Sequence, residues 1–167
     1  KIYKSLKIID LSRNFGQHKS IMTGLSYARG NYVFLIDCDL EEQPEWLSLF
    51  FDKISNSNAD VIFGVQKVRR GNFWQKITGN LFWFIFQSLT GIYQIKNTVT
   101  ARLMKKKYVD SLIMHNEREI FLDGLWSLTG FNQIPIEVKK LNLNKSNYTF
   151  KKKISMFIDS ITSFSSL

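Results

Sequence analysis

Two aspartates separated by one residue follow an apolar run in the first third of the sequence. Asp37 and Asp39 come directly after residues 32–36 (YVFLI), and Glu41 continues the same spacing. In an extended chain, residues two apart point to the same side, so both aspartates can face one ligand. Carboxylate oxygens are the hard ligands that Mg²⁺ and Mn²⁺ prefer. The pattern therefore favours a divalent-metal site, with the metal bridging protein and a diphosphate.

The same acids also have a structural interpretation. Pro44 stands where a first helical turn would begin, ahead of residues 46–54 (WLSLFFDKI). Acidic side chains near a helix N-terminus cap its free N–H groups and interact favourably with the helix dipole. The D-x-D pattern is short and common, so by itself it does not decide between a metal site and a helix cap.

The charge of the chain is distributed unevenly. The 167 residues carry a net charge of +9, which is typical of proteins that meet nucleic acid, an anionic membrane surface or a phosphorylated substrate. Residues 37–60 contain seven acids and one base, whereas residues 61–109 contain nine bases and no acid. An acidic cluster repels nucleic-acid phosphates, so we do not expect nucleic acid as a partner.

Cysteine content and hydropathy exclude two further classes. Cys38 is the only cysteine, so no intrachain disulfide framework can form. The N-terminus lacks the long apolar core of a signal peptide, and the longest strictly apolar run, residues 81–86, is too short to cross a bilayer as a helix. We therefore expect no transmembrane span within this sequence.

Apolar segments alternate with helical patterns in the first half of the chain. The predicted order is a strand at residues 6–11, a helix ending at Gly30, a strand at 32–37, a helix after Pro44 and a strand at 60–65. These spacings predict parallel pairing in an α/β sheet, where ligands bind beyond the carboxyl ends of the strands. Asp37 stands at such an end.

The second half is predicted to be more irregular. It contains a short extended piece at residues 101–104, helices at 106–115 and 119–129, and an edge strand at 132–139 in which Pro135 is tolerated. Residues 72–89 are rich in aromatic residues, and both an ordinary core helix and an interfacial membrane helix fit them.

Residues 11–47 (LSRNFGQHKSIMTGLSYARGNYVFLIDCDLEEQPEWL) strongly resemble a known enzyme family. They are similar to the bacterial family 2 glycosyltransferases of GT-A fold that act on polyisoprenyl phosphates. These are relatives of dolichyl-phosphate mannosyltransferase and of undecaprenyl-phosphate glucosyl- and aminoarabinosyltransferases. The match continues in order through VIFGVQKVRRG, ARLM, EIFLDGLWSLTGF and KSNYTFKKKISMFIDSITSFS, which makes it more specific than any single motif.

The resemblance implies a domain organisation. Residues 1–140 would form a partial GT-A catalytic domain, a Rossmann-like α/β core with a mainly parallel sheet flanked by helices. Residues 141–167 would form a juxtamembrane linker and an amphipathic helix. Family members begin with an earlier strand and V-Y-N-E-type and D-D-G-S motifs, and they continue into membrane-spanning helices after the S-F-S segment. We therefore expect this chain to be part of a longer, membrane-attached enzyme.

The resemblance also implies roles for the acids. Asp37 and Asp39 match the family's catalytic D-x-D, with Asp39 as the direct ligand of Mg²⁺ or Mn²⁺. Glu41 stands where the family usually has Gln and would be a further oxygen ligand near the metal. The substitution adds a negative charge at this place.

Basic and amide residues complete the implied site. Arg13 and Asn14 fall in the S-R-N-F-G turn near the nucleotide, and Arg69 and Arg70 fall on a basic segment over the active site. Arg102 matches the arginine of the family's D-F-R-L segment and would hold the lipid phosphate during catalysis. The acid that precedes this arginine by two residues in the family is Thr100 here.

These implications lead to one preferred hypothesis and two alternatives. The preferred function is inverting, metal-dependent transfer of a sugar from a nucleotide sugar to a polyisoprenyl phosphate, namely undecaprenyl phosphate, in cell-surface glycan biosynthesis. The reaction would take place on the cytoplasmic face of a bacterial membrane. The alternatives are a family 2 enzyme that extends a polysaccharide directly, and a non-catalytic membrane-binding module with a degenerate site. The sequence leaves open a homo-oligomer.

Overall fold

The computed structural model describes residues 6–67, 87–88, 95, 97–115 and 121–141. These residues form a four-stranded sheet with helices on both faces. The elements in chain order are α1 (Gln17–Ser26), β1 (Tyr32–Leu35), α2 (Trp46–Ser55), β2 (Val61–Val65), β3 (Thr98–Lys105), α3 (Lys106–Ile113), α4 (Leu122–Leu128) and β4 (Gln133–Glu137). Each of them falls within or beside a segment for which the sequence predicted the same type of structure.

The sheet has the strand order β1-β3-β2-β4 and is mixed. β3 lies in the middle and is antiparallel to both β1 and β2, whereas β2 and β4 are parallel. The predicted mainly parallel sheet is therefore wrong. β1 and β2 do point the same way, as their helical connection requires, but a strand from later in the chain separates them and runs in the opposite direction.

The strand predicted at residues 6–11 is also wrong. This segment has no regular secondary structure, and Leu6 and Ile8 are 67% and 85% exposed. A strand forms only when a neighbour takes up its N–H and C=O groups, and none of the strands in the described residues pairs with this segment. Apolar composition alone does not provide such a partner.

Two hydrophobic clusters cover the two faces of the sheet. Adjacent strand residues point to opposite faces, so Val61 joins one cluster and Ile62 the other. The first cluster packs α1, α3 and α4 on one face, and the second packs α2 on the other. This three-layer arrangement fixes the strand ends, because each strand is held from both sides.

The pairing directions bring several chain ends to one edge of the sheet. The carboxyl ends of β1, β2 and β4 lie there together with the amino end of β3. Asp37 follows β1, Thr100 lies near the start of β3, and Lys140 comes three residues after β4. As predicted, β4 is an edge strand, and its Pro135 faces a single partner, β2.

Most of the residues for which the sequence predicts membrane contact lie outside the described part of the chain. In the part of the chain that the structure describes, no helix combines the length and apolar character needed to span a bilayer. The aromatic segment 72–89, except residues 87 and 88, and the amphipathic segment from residue 142 onward lie outside the described residues.

Candidate active site

Asp37 is anchored through both of its carboxylate oxygens. Gln17 Nε2 donates a hydrogen bond of 2.9 Å to Oδ1, and Thr100 Oγ1 donates one of 2.8 Å to Oδ2. Gln17 is the first residue of α1 and Thr100 belongs to β3. The half-buried carboxylate is therefore fixed by two elements and keeps only part of its acceptor capacity for a ligand.

Asp39 projects from the next turn and is exposed. Its Oδ1 accepts a hydrogen bond of 3.0 Å from the Glu41 N–H, which closes a short side-chain turn. Leu40 between them has a φ of 64° and is 70% exposed, an unusual backbone conformation for a bulky residue. The turn thus holds the second carboxylate of the D-x-D pair away from the sheet and toward solvent.

The Glu41 carboxylate lies near the Lys140 ammonium. Its Oε2 lies 3.9 Å from Lys140 Nζ, and its carbonyl oxygen accepts a hydrogen bond of 2.9 Å from the Leu141 N–H. Among the residues described, no group of three or more His, Cys, Asp or Glu side chains is arranged to hold a metal ion. The structure does not bring Asp37, Asp39 and Glu41 together as one ligand set, and their metal roles stay predictions.

The donor set nevertheless fits a metal shared with a substrate. Mg²⁺ sites that bind nucleotide phosphates commonly use one or two protein carboxylates, with phosphate oxygens and water completing the coordination. Asp39 offers one exposed carboxylate, and Asp37 lies two residues away with a fixed orientation. These two residues would hold such an ion.

Glu42 is a site residue that the sequence reasoning missed. Glu42 is buried, with 1% of its surface exposed. Its carboxylate accepts hydrogen bonds from the N–H groups of Asp37 (3.1 Å) and Thr100 (3.0 Å). Lys140 Nζ lies 3.3 Å from Oε1. Burial raises the pKa of Glu42, while the Asp37 N–H and the Lys140 ammonium act in the opposite direction. The available signal was four acids within residues 37–42, which require a nearby cation.

Two clefts adjoin these residues. The first, of about 370 Å³, is bounded by α1, the start of β3 and α4, and its polar lining includes Gln17, Asn97, Thr100, Asp123 and Lys140. The second, of about 910 Å³, follows α1 and β1 and includes the following acids: Asp37, Asp39, Glu41. Gln17 and Lys140 line both clefts. The three carboxylates therefore line one ligand-sized cleft, which shares Gln17 and Lys140 with the other.

Arg102 is placed in the core. It is 2% exposed, its Cζ lies 3.0 Å from the centre of the Trp126 ring, and its Nε donates a hydrogen bond of 3.3 Å to the Thr100 carbonyl oxygen. Burial lowers the pKa of Arg102 to about 10, so it is still a cation at neutral pH. In this position Arg102 supports the wall of the first cleft from behind. Its contact with a lipid phosphate stays a prediction.

The other predicted basic and amide residues are spread out. Arg13 is exposed and lies 4.7 Å from the centre of the Phe15 ring, and Asn14 Oδ1 accepts a hydrogen bond from the Gly16 N–H. Neither residue lines the two clefts. Arg69 and Arg70 lie outside the described residues.

Comparison with known families decides the class of this protein. Residues 1–129 match Glycosyl transferase family 2, which is well over half of the chain. The chain belongs to glycosyl transferase family 2. The prediction of family 2 membership is thus confirmed, and the polyisoprenyl-phosphate specificity stays a prediction.

The chain is also similar to curated proteins that are named as glycosyltransferases. It is 43% identical over 160 residues to a Mycobacterium tuberculosis protein that is named as a glycosyltransferase, covering 96% of this chain and 47% of the relative. It is 35% identical over 163 residues to the uncharacterized glycosyltransferase YkcC of Bacillus subtilis, covering 96% and 50%. The chain spans about half the length of the curated relatives it matches.

The chain is also similar to solved structures. Mannosyl-3-phosphoglycerate synthase from Rubrobacter xylanophilus aligns with 89% of this chain and 49% of its own, at 12% identity and a TM-score of 0.47.

Proposed function

We propose that this chain forms part of a GT-A catalytic domain that transfers a sugar from a nucleotide sugar to a polyisoprenyl phosphate, with inversion at the anomeric carbon. The observation that carries the proposal is the arrangement of the two D-x-D aspartates at the sheet edge. Asp37 is anchored by Gln17 and Thr100, whereas Asp39 is exposed beside it. Family membership supports the transferase class, and this arrangement supports the place of the chemistry.

The aspartates would recognise the diphosphate of the donor. Asp39, and Asp37 through its remaining lone pairs, would hold a divalent ion, and that ion would compensate the charge of the departing nucleoside diphosphate. Asp37 itself orients the turn, because its bonds to α1 and β3 fix its carboxylate. Lys140 lies at the meeting point of both clefts and adds a positive charge near the bound phosphates.

A threonine at position 100 is consistent with a phosphate acceptor. A phosphate monoester is already ionised near neutral pH, so one of its oxygens can attack the anomeric carbon without a strong general base. Thr100 supplies a hydroxyl where the sequence resemblance implies an acid, and this hydroxyl donates to Asp37. Positioning of the two substrates would then provide most of the rate enhancement.

A lipid acceptor also requires contact with a membrane surface. The sequence of residues 151–164, KKKISMFIDSITSF, has three lysines before apolar residues at helical spacing. Such a segment favours binding to the anionic surface of a cytoplasmic membrane leaflet. This supports a reaction at the cytoplasmic face of the bacterial membrane, where an undecaprenyl phosphate would be met.

Product analysis with the full-length protein tests the proposal. The enzyme is offered a panel of nucleotide sugars, Mg²⁺ or Mn²⁺, and either undecaprenyl phosphate or an oligosaccharide, and the products are identified by mass spectrometry. A glycosylated lipid phosphate that depends on the metal is the expected product. Transfer to the oligosaccharide alone would indicate an enzyme that extends a polysaccharide. Membrane binding with neither sugar transfer nor nucleotide binding would indicate a non-catalytic module.

A further inference from the structure

The hydrogen-bonding ladder between β1 and β3 ends in an unusual way. Its last registered pair is Leu35 with Arg102, and two further residues along each strand would place Asp37 opposite Thr100. In a continued antiparallel ladder, alternate opposed residues exchange N–H and C=O bonds directly. Here the N–H groups of Asp37 and Thr100 both donate to the carboxylate of Glu42, one to each oxygen. A side chain thus occupies the place of the next backbone pair.

The environment of this carboxylate is enclosed and charged. The Glu42 side chain has 0% exposure, and Lys140 Nζ lies 3.3 Å from Oε1 with 20% exposure of its own side chain. An enclosed carboxylate is unfavourable unless its oxygens accept hydrogen bonds and a cation is close. Both conditions are met by groups from three different segments, which end β1, begin β3 and follow β4.

The consequence is geometric. A carboxylate between two strands holds them farther apart than direct N–H···O=C pairing would, because its own atoms fill the gap. The cross-strand bond from Thr100 Oγ1 to Asp37 Oδ2 spans the same pair of residues. Any change in the separation of these two backbones therefore changes the orientation of the Asp37 carboxylate, and Asp39 follows two residues later.

We propose that Glu42 is a positioning residue that holds the chain just after β1 apart from the start of β3 and orients Asp37 for the donor diphosphate, with Lys140 as its counter-ion. The catalytic part of this inference rests on the proposed glycosyl transfer. The separation of the strands by Glu42 is a property of the fold and can be measured without the reaction.

The matched variants are Glu42→Gln and Glu45→Gln in the full-length protein. Glutamine has nearly the same shape as glutamate, but only one of its two terminal atoms accepts a hydrogen bond. The N–H group of either Asp37 or Thr100 therefore loses its acceptor. Glu45 is exposed at the start of α2 and serves as the control. We expect amide hydrogen exchange at Asp37 or Thr100 to quicken by about tenfold or more in Glu42→Gln only.

The kcat and KM values of Glu42→Gln distinguish an effect on the orientation of Asp37 from a general loss of stability. We expect kcat of Glu42→Gln to fall by about tenfold or more, with KM for the nucleotide sugar changed by less than about threefold, since an orientation effect acts in the transition state. Lys140 provides a second series if Glu42→Gln does not fold. Lys140→Met should lower kcat and quicken amide exchange at Asp37 and Thr100. Lys140→Arg keeps the cation, so its kcat and exchange rates should lie close to those of the wild type.

The outcomes distinguish this inference from the proposed function. Unchanged exchange at both amides in a folded Glu42→Gln protein would overturn it, as would faster exchange with kcat within about twofold of the wild type. If Glu42→Gln does not fold, equal effects of Lys140→Met and Lys140→Arg would overturn it. If the wild type transfers no sugar while Glu42→Gln still quickens exchange at Asp37 or Thr100, the proposed function fails and the role of Glu42 between these two residues is upheld.

Discussion

Thr100 Oγ1 donates a hydrogen bond of 2.8 Å to Asp37 Oδ2, across 63 residues of sequence. The sequence resemblance implies an acid at this position, where the chain has a hydroxyl. A second carboxylate at this distance from Asp37 would raise the pKa of one of the two groups through repulsion between like charges. The threonine removes that repulsion and turns the position into a donor. The position is thus matched to the acceptor oxygen of Asp37.

The first prediction concerns this hydroxyl. Thr100→Val keeps the shape of the side chain but removes the donor, so we expect the free energy of unfolding to fall by about 1–3 kcal/mol and kcat to fall with it. Thr100→Ser keeps the hydroxyl and should retain most of the activity. Thermal unfolding and steady-state kinetics of the three proteins are the measurements. Equal losses in both variants would show that the methyl group matters more than the hydrogen bond.

The two aspartates should respond differently to amidation. Asp39 is exposed, and in Asp39→Asn the asparagine oxygen can still accept the hydrogen bond from the Glu41 N–H. The free energy of unfolding should therefore be unchanged, while kcat/KM falls by about a hundredfold. Asp37→Asn should also lower the melting temperature, because Asp37 accepts bonds from both α1 and β3. Titration calorimetry with Mn²⁺ and a nucleotide, alongside thermal melts, separates the two effects. Cys38→Ala, between them and exposed, is the control.

Arg102 is expected to act on stability. Replacement by Met removes a buried cation stacked on Trp126, and we expect a loss of about 2–4 kcal/mol in the free energy of unfolding. KM for the lipid phosphate should change little, because the guanidinium is enclosed in the structure. Denaturant unfolding and acceptor titrations test this. A raised KM at unaltered stability would instead support the phosphate contact that the sequence resemblance implies.

Acid should weaken the fold partly through Asp60. Its carboxylate lies 2.7 Å from Lys107 Nζ and 3.5 Å from Lys105 Nζ. Burial raises the pKa of Asp60, but hydrogen bonds from Lys107 and the Asn132 backbone, with the two lysine charges, outweigh it and place the pKa below its usual 3.8. The ionised form is thus favoured by folding. Its contribution is present at neutral pH and is lost as the pH falls below about 3.8.

The corresponding experiment compares Asp60→Asn with the wild type across pH. At pH 7 the variant should be less stable by about 1–3 kcal/mol, since the hydrogen bonds that it loses involve charged groups. The difference should shrink as the pH falls through the acidic range. Asp52→Asn changes an exposed carboxylate on α2 and should leave stability within about 0.5 kcal/mol of the wild type at every pH.

Two glycines offer an internally controlled test of packing. A Cβ at Gly64 of β2 would lie 2.5 Å from Val99 Cγ2 and 2.8 Å from Val138 Cγ2, so Gly64→Ala should cost about 1–3 kcal/mol. Gly24 lies within α1 with nothing within 4 Å of the added atom, and Gly24→Ala should stabilise by roughly 0.5–1 kcal/mol. Thermal melts of both variants give the comparison. A neutral Gly64→Ala would mean that the valines move aside.

The sequence predicted what is local and missed what joins distant segments. Periodicity located β1, α2 and β2, and it placed Asp37 at the end of a strand, because each of these depends on neighbouring residues. It missed β3 as the central antiparallel strand, since strand order depends on packing and not on spacing. It missed Glu42 for the same reason, as its Thr100 contact spans 58 residues.

The central place of β3 has a consequence for how the protein acquires its site. Both β1 and β2 pair with β3, and Asp37 and Glu42 depend on Thr100 within it. During synthesis the acidic turn leaves the ribosome long before residues 98–105, and closing so long a loop slows the pairing. Until then the carboxylates lack their partners from β3. A nascent chain would thus display the D-x-D motif early but gain an ordered active site only when β3 inserts between the strands already made.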